Sequence, residues 1–179
     1  MEATTLLKQE HIVIKKVLAG LQGLVDRREV RAADIRDALT FSRTFVDRCH
    51  HGKEELCLFP CMEKRGIPRE HGPIAVMLLE HEQGRQLVRA IGEALDRHEA
   101  GKAAPAEVLA RIQEYVELLE AHIEKENNIL YAMGDQVMQG RDDPETVTCF
   151  DAKEAERIDP ETHRAMVALA ERLGSLRSA

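Results

Sequence analysis

Two histidine–glutamate pairs, His50/Glu54 and His122/Glu126, are the residues of this chain best suited to chemistry. Their i, i+4 spacing sets an imidazole and a carboxylate on one helix face, a turn apart, where both can reach one cation. Their surroundings repeat too. His50 to Phe59 and His122 to Tyr131 both read His-x-x-Lys-Glu-x-x-x-Leu-aromatic. Glu10-His11 and Glu80-His81 also match, and His81 follows His11 by nearly the interval separating His122 from His50. A duplicated helical hairpin explains both matches, each copy bringing one lone His and one His-x-x-x-Glu.

The segments that must carry these residues read as helices. Four Phe, two Tyr and no Trp in 179 residues, with abundant Leu, Ala, Glu and Arg, disfavour strands. Apolar residues recur at helical spacing in segments of about 5–26, 33–65, 73–101 and 105–138. Gly66 suits a helix C-cap, and Pro60 should kink or fray the second segment. Long helices with short loops predict an all-α fold, an antiparallel four-helix bundle over residues 1–139. Residues 140–179 should form a C-terminal extension packed on the bundle, with a short helix opened by Asp159-Pro160-Glu161. Arg27-Arg28-Glu29 and Asp142-Asp143 read as solvated loops.

Helical phase selects the residues that point inward. In the second segment the stripe Ile35, Leu39, Ser42, Val46 continues through His50, Glu54 and Cys57. His51 and Glu55 follow Asp47 and Arg48 onto a polar face, as solvated groups or as outer groups that orient ligands. In the fourth segment the stripe passes through His122 and Glu126 to Ile129 and Met133. His11 and His81 lie on the apolar lines of the other two segments. Two carboxylates inside a bundle are costly unless paired or bound to metal, and Arg85 is the one cation near these stripes. Six nitrogen and oxygen donors without thiolate suit Fe, Mn or Zn, and imidazole with carboxylate suits iron well. They also exceed the four donors of a structural zinc site, which favours two ions sharing bridging carboxylates. The chain has no Glu-x-x-His, unlike the ferritin-like pattern.

These motifs resemble the hemerythrin-like, or HHE cation-binding, family. The resemblance covers about residues 5–138: His11, His50-x-x-x-Glu54 with Leu58-Phe59-Pro60, Glu80-His81, and His122-x-x-x-Glu126. It implies a non-haem centre of two Fe ions, bridged by Glu54, Glu126 and an oxo or hydroxo oxygen, that binds or senses O2 or NO. Oxygen-carrying members have a fifth His one turn before the third-helix ligand, where this chain has Met77, and His-x-x-x-x-Asp on the fourth helix. The resemblance thus also implies two alternatives, reduction of NO or hydrogen peroxide with a redox partner, or iron handling and repair.

Other residues have plainer readings. Tyr115 could reach a bridging oxygen or serve packing equally well, and Gly84 could leave space beside the metals or fit close helix packing. Cys49, Cys57 and Cys61 read as core packing, and the four Cys, with no Cys-x-x-Cys, as thiols of a reducing compartment. A net charge of −7 argues against a nucleic-acid partner. No apolar run spans a bilayer and the first residues do not read as a signal peptide, so a cytoplasmic location is expected.

Overall fold

The computed structural model describes residues 2–140 and 142–177. Residue 1 of the expected bundle and residues 141, 178 and 179 of the expected extension lie outside the described residues. The apolar stripes become four rods. The first is α1 (Ala3–Arg27), which ends where Arg28 turns left-handed at φ 56°. The second is composite: α2 (Ala32–Phe41) continues through π-helical stretches at Ser42–His51 and Glu54–Leu58 into α3 (Phe59–Lys64). The third is α4 (Pro73–Glu99), with Pro73 in its first turn. The fourth joins α5 (Pro105–Lys125) to α6 (Tyr131–Val137) through a π-helical stretch at Glu126–Leu130.

The π-helical stretches correct the expected phase. A turn closed i→i+5 holds one residue more than an α-turn, which rotates the following side chains by roughly 100°. Ile129, expected on the inner stripe, is therefore 52% exposed, while Leu130 and Tyr131 are buried. His51, expected on the polar face, is buried. The second rod passes Pro60 without a break because Pro60 lies in the first turn of α3, where its missing N–H costs little.

Two apolar clusters fill the bundle. One gathers Leu18, Leu39, Phe45, Ile91, Ile112 and Leu119. The other gathers Leu7, Leu58, Phe59, Ile74, Leu130 and Tyr131, and it holds Met77 as well. Along every rod the candidate ligands fall between the two clusters. Among the described residues no helix is long and apolar enough to cross a membrane.

Among the described residues two α-helices follow the bundle, where one was expected: α7 (Asp142–Arg157) and α8 (Pro160–Gly174). Asp159 caps α8 as its type predicts, its Oδ1 accepting from the N–H groups of Glu161 at 3.0 Å and Thr162 at 2.9 Å. Helix α8 lies so close to α1 that a side chain at Gly20 would overlap the Leu173 carbonyl. Asp142-Asp143 is not a solvated loop. Asp142 accepts from Arg65 at 2.6 and 2.7 Å, and Asp143 accepts the Ala3 N–H at 2.9 Å. The expectation of four thiols is also corrected, because Cys57 and Cys149 form a disulfide and leave Cys49 and Cys61 free. Only the docking of α7 against the second rod brings together two cysteines 92 residues apart.

Candidate metal centre

All six expected donors meet in one buried cluster, none of them more than 2% exposed. His11 and His50 form one pair, ring centroids 4.6 Å apart, and His81 and His122 another, at 4.9 Å. The carboxylates lie between the pairs. Glu54 Oε2 is 3.8 Å from His50 Nε2 and 3.4 Å from His81 Nε2. Glu126 Oε2 is 3.2 Å from His11 Nε2, while its Oε1 is 3.2 Å from His122 Nε2 and 3.8 Å from His81 Nε2. Each carboxylate thus faces both imidazole pairs, as a bridging group must.

The outer nitrogens of the four imidazoles are all engaged. His50 Nδ1 donates to Glu10 at 2.8 Å, and His122 Nδ1 to Glu80 at 2.9 Å. His81 Nδ1 donates to Glu55 at 2.7 Å, and His11 Nδ1 to Asn127 Oδ1 at 2.9 Å. These bonds orient the rings and turn each Nε2 inward; that of His11 also meets the Tyr131 hydroxyl at 3.5 Å. The arrangement follows the sequence repeat as a pseudo-two-fold, and Lys53 on Glu10 answers Lys125 on Glu80. Glu55 is therefore an orienting group, the second of the two readings open to it. The repeat contained the signal for Glu10 and Glu80, since Glu-His occurs in both copies.

Tyr131 breaks this symmetry. It stands where the other copy has Phe59, donates to Glu54 Oε1 at 2.6 Å and stacks on His11 at 5.6 Å. Tyr115, the tyrosine considered from sequence, is bonded elsewhere: it donates to Ser42 Oγ at 2.9 Å. His51 breaks the symmetry a second time, standing where the other copy has Ile123. Its ring stacks on His81 at 3.7 Å, and its ligating atom lies within 4.8 Å of those of His81 and His122. Sequence phase missed it because an α-helical wheel turns position 51 outward.

The electrostatics are those of a site built around positive charge. Burial pulls His122 down, but Glu126 and Glu80 outweigh it and hold the imidazole up at about 9. Burial likewise opposes His81, yet Glu126, Glu54 and Glu55 hold it well above the ordinary value. Burial would raise Glu126, but His122, His11 and His81 press it well below the carboxylate range. Glu10 is depressed to about 2 against burial by His50 and Lys53. Inside the cluster, Nε2 of His50, His81 and His122, Oε2 of Glu54 and both oxygens of Glu126 have no hydrogen-bond partner among the described residues. Buried polar atoms seldom lack partners, and six in one place fit a cation. Imidazole with carboxylate and no thiolate is a donor set for iron, manganese or zinc.

Comparison with known proteins agrees with the geometry. Over an alignment of 91 residues that covers 48% of it, this chain is 36% identical to the iron-sulfur cluster repair protein YtfE of Edwardsiella ictaluri (strain 93-146). It spans 41% of that relative's length. No solved structure matches the chain. The family model of the hemerythrin HHE cation binding domain matches residues 2–134, which takes in every element that contributes a donor. The chain belongs to the hemerythrin HHE cation-binding domain family.

Proposed function

We propose that the chain holds a non-haem centre of two iron ions that binds a small ligand, O2 or NO. His11 and His50 would serve one ion, His81 and His122 the other, with Glu54, Glu126 and a solvent-derived oxo or hydroxo oxygen between them. The observation that carries this reading is the set of unpartnered inward atoms, arranged as two imidazole pairs with two carboxylates between. Two adjacent irons supply a binding position for a diatomic and two electrons for its reduction. The protein's own groups orient the donors through Glu10, Glu55, Glu80 and Asn127, and Tyr131 keeps a proton beside Glu54. Burial first, then Glu126 and Glu54, hold the Tyr131 phenol well above its ordinary value, so it stays a donor at neutral pH.

Metal analysis with an aerobic absorption spectrum tests the centre. Two irons per chain and an oxo-to-iron charge-transfer band are expected, and one zinc without a visible band overturns it. Reversible bleaching on O2 removal supports a binder or sensor, while turnover of NO or peroxide with an electron donor supports the reductase alternative. A second reading, iron handling or repair, is favoured by the name of the relative. It predicts that a modest chelator strips the iron while the fold persists.

A further inference from the structure

A cavity of about 240 Å³ opens between the second rod, α4 and α5, and its inner wall is made by His51 and His81. It is far larger than a diatomic needs, since one water in the liquid occupies about 30 Å³. Its sides are apolar: Val46, Val88, Leu119 and the ring of Tyr115 line it. Gly84 lines it as well, and a Cβ there would meet only Leu119 Cδ2, at 3.7 Å. The two hydroxyls in the lining ask nothing of a ligand. Tyr115 donates to Ser42, and Ser42 donates to the Ala38 carbonyl at 2.9 Å. Arg85, also in the lining, is held by Asp47 and Glu55 at 2.7 Å each. Arg43 and Arg89 line the cavity too but are exposed, and the inward Nε2 of His81 belongs to the donor cluster, so the buried polar group left over is His51. His51 is 4% exposed, its Nδ1 has no hydrogen-bond partner among the described residues, and Asp47 Oδ1 stands 3.9 Å from that nitrogen, beyond hydrogen-bond reach.

Apolar walls, one unsatisfied hydrogen-bonding ring at the inner end, and a donor imidazole beside it define a ligand by its chemistry. We propose that this cavity binds a small apolar organic molecule with one terminal hydroxyl or hydroperoxy group, R–OH or R–OOH, its body against Val46, Val88 and Leu119 and its oxygen at His51. The site deepens the metal-centre reading, on which the position of that oxygen beside His81 depends. It widens the ligand class from diatomics to organic hydroperoxides and the alcohols they yield. A ferrous pair held by these residues would supply the two electrons that cleaving the O–O bond of R–OOH requires, with two protons from solvent, to leave R–OH and water.

Binding is tested first on the metal-free protein, with 2-phenyl-2-propanol as a redox-inert probe, by titration followed in backbone amide NMR. Saturable shifts around Gly84 and Val88 are expected. Gly84→Leu and Val88→Phe, which fill the cavity from the same helix, should each weaken binding at least about tenfold, as loss of a few buried methylenes' worth of contact would. Both variants are checked for an unchanged fold in the same spectra, and two are used so that one failing to fold leaves the other. No saturable shift, or equal affinity in parent and folded variant, overturns the cavity site. The second arm uses the iron-loaded, reduced protein with cumene hydroperoxide and with hydrogen peroxide, following oxidation of the centre by absorbance. The filled variants should slow the organic peroxide by about tenfold and leave hydrogen peroxide within about twofold. Equal slowing of both overturns the assignment of R–OOH as ligand. A protein that takes up no iron but binds the alcohol refutes the metal centre and leaves the cavity site standing.

Discussion

Glu54 and Glu126 carry the negative charge that both imidazole pairs share, so each is needed for both halves of the proposed centre. Glu54→Ala or Glu126→Ala is expected to lose at least one metal ion per chain, measured by metal analysis after gel filtration. Retention of full metal by either variant contradicts the bridging assignment. Glu55 belongs to a different tier. Its carboxylate, depressed to about 2 against burial by His81 and Arg85, fixes the His81 ring without entering the cluster. Glu55→Ala should therefore weaken metal binding by about 10- to 100-fold, the usual cost of losing an orienting partner. Competition with a chromophoric chelator measures this, and an unchanged affinity would return Glu55 to the status of a surface residue. Tyr131→Phe removes the hydrogen bond to Glu54 and a longer one to His11 Nε2, and no ligand. It should keep the metal and alter the spectrum, because Glu54 Oε1 loses its donor.

At the scale of the element, the π-helical stretches explain what could and could not be read from the chain. The duplicated motif predicted the six inward donors, and the structure gathers them. The rotations inside Ser42–His51 and Glu126–Leu130 are invisible to a wheel of fixed period, which puts His51 and Ile129 on the wrong faces. The docking of α7 was equally hidden. A disulfide across 92 residues needs the tertiary placement of two helices, which no local spacing records. Its loss should be felt as stability. Cys149→Ser is expected to lower unfolding free energy by about 2–4 kcal/mol, since the closed loop is long. Denaturant titration of metal-free protein with and without reductant checks this, and identical midpoints would mean that α7 is held by its other contacts alone. Gly20→Ala attacks the other added helix. The Leu173 carbonyl must retreat, and a cost of about 1–3 kcal/mol is expected, read as a lowered melting temperature.

For the whole molecule, the buried charges link folding to pH. In the metal-free chain His122 has its pKa raised from 6.5 to about 9, so its contribution to stability is complete below 6.5 and is lost as pH rises through about 9. Glu126 is shifted the other way, so its contribution is present above the ordinary 4.5 and is lost as pH falls through its depressed value. Metal reverses the upper limb. Ligation needs neutral imidazoles, so proton release favours the loaded protein as pH rises. Melting curves from pH 6 to 9 should diverge, falling for metal-free protein and holding or rising for loaded protein. Parallel curves would mean that these histidines are not ligands.

The near-symmetry of the shell has one charge missing. Around His81 and His122 the outer partners are Glu55 and Glu80, two carboxylates, whereas around His11 and His50 they are Asn127 and Glu10, an amide and a carboxylate. A carboxylate partner makes an imidazole a stronger electron donor than an amide does. In the proposed iron pair the two positions would therefore be unequal in the oxidation state they favour. In a half-oxidised pair the ferric ion should reside on the His81–His122 side, giving a trapped rather than a shared valence. Asn127→Asp would restore the missing charge, and a narrowing of the difference between the two irons in Mössbauer spectra would show that valence is written in the outer shell.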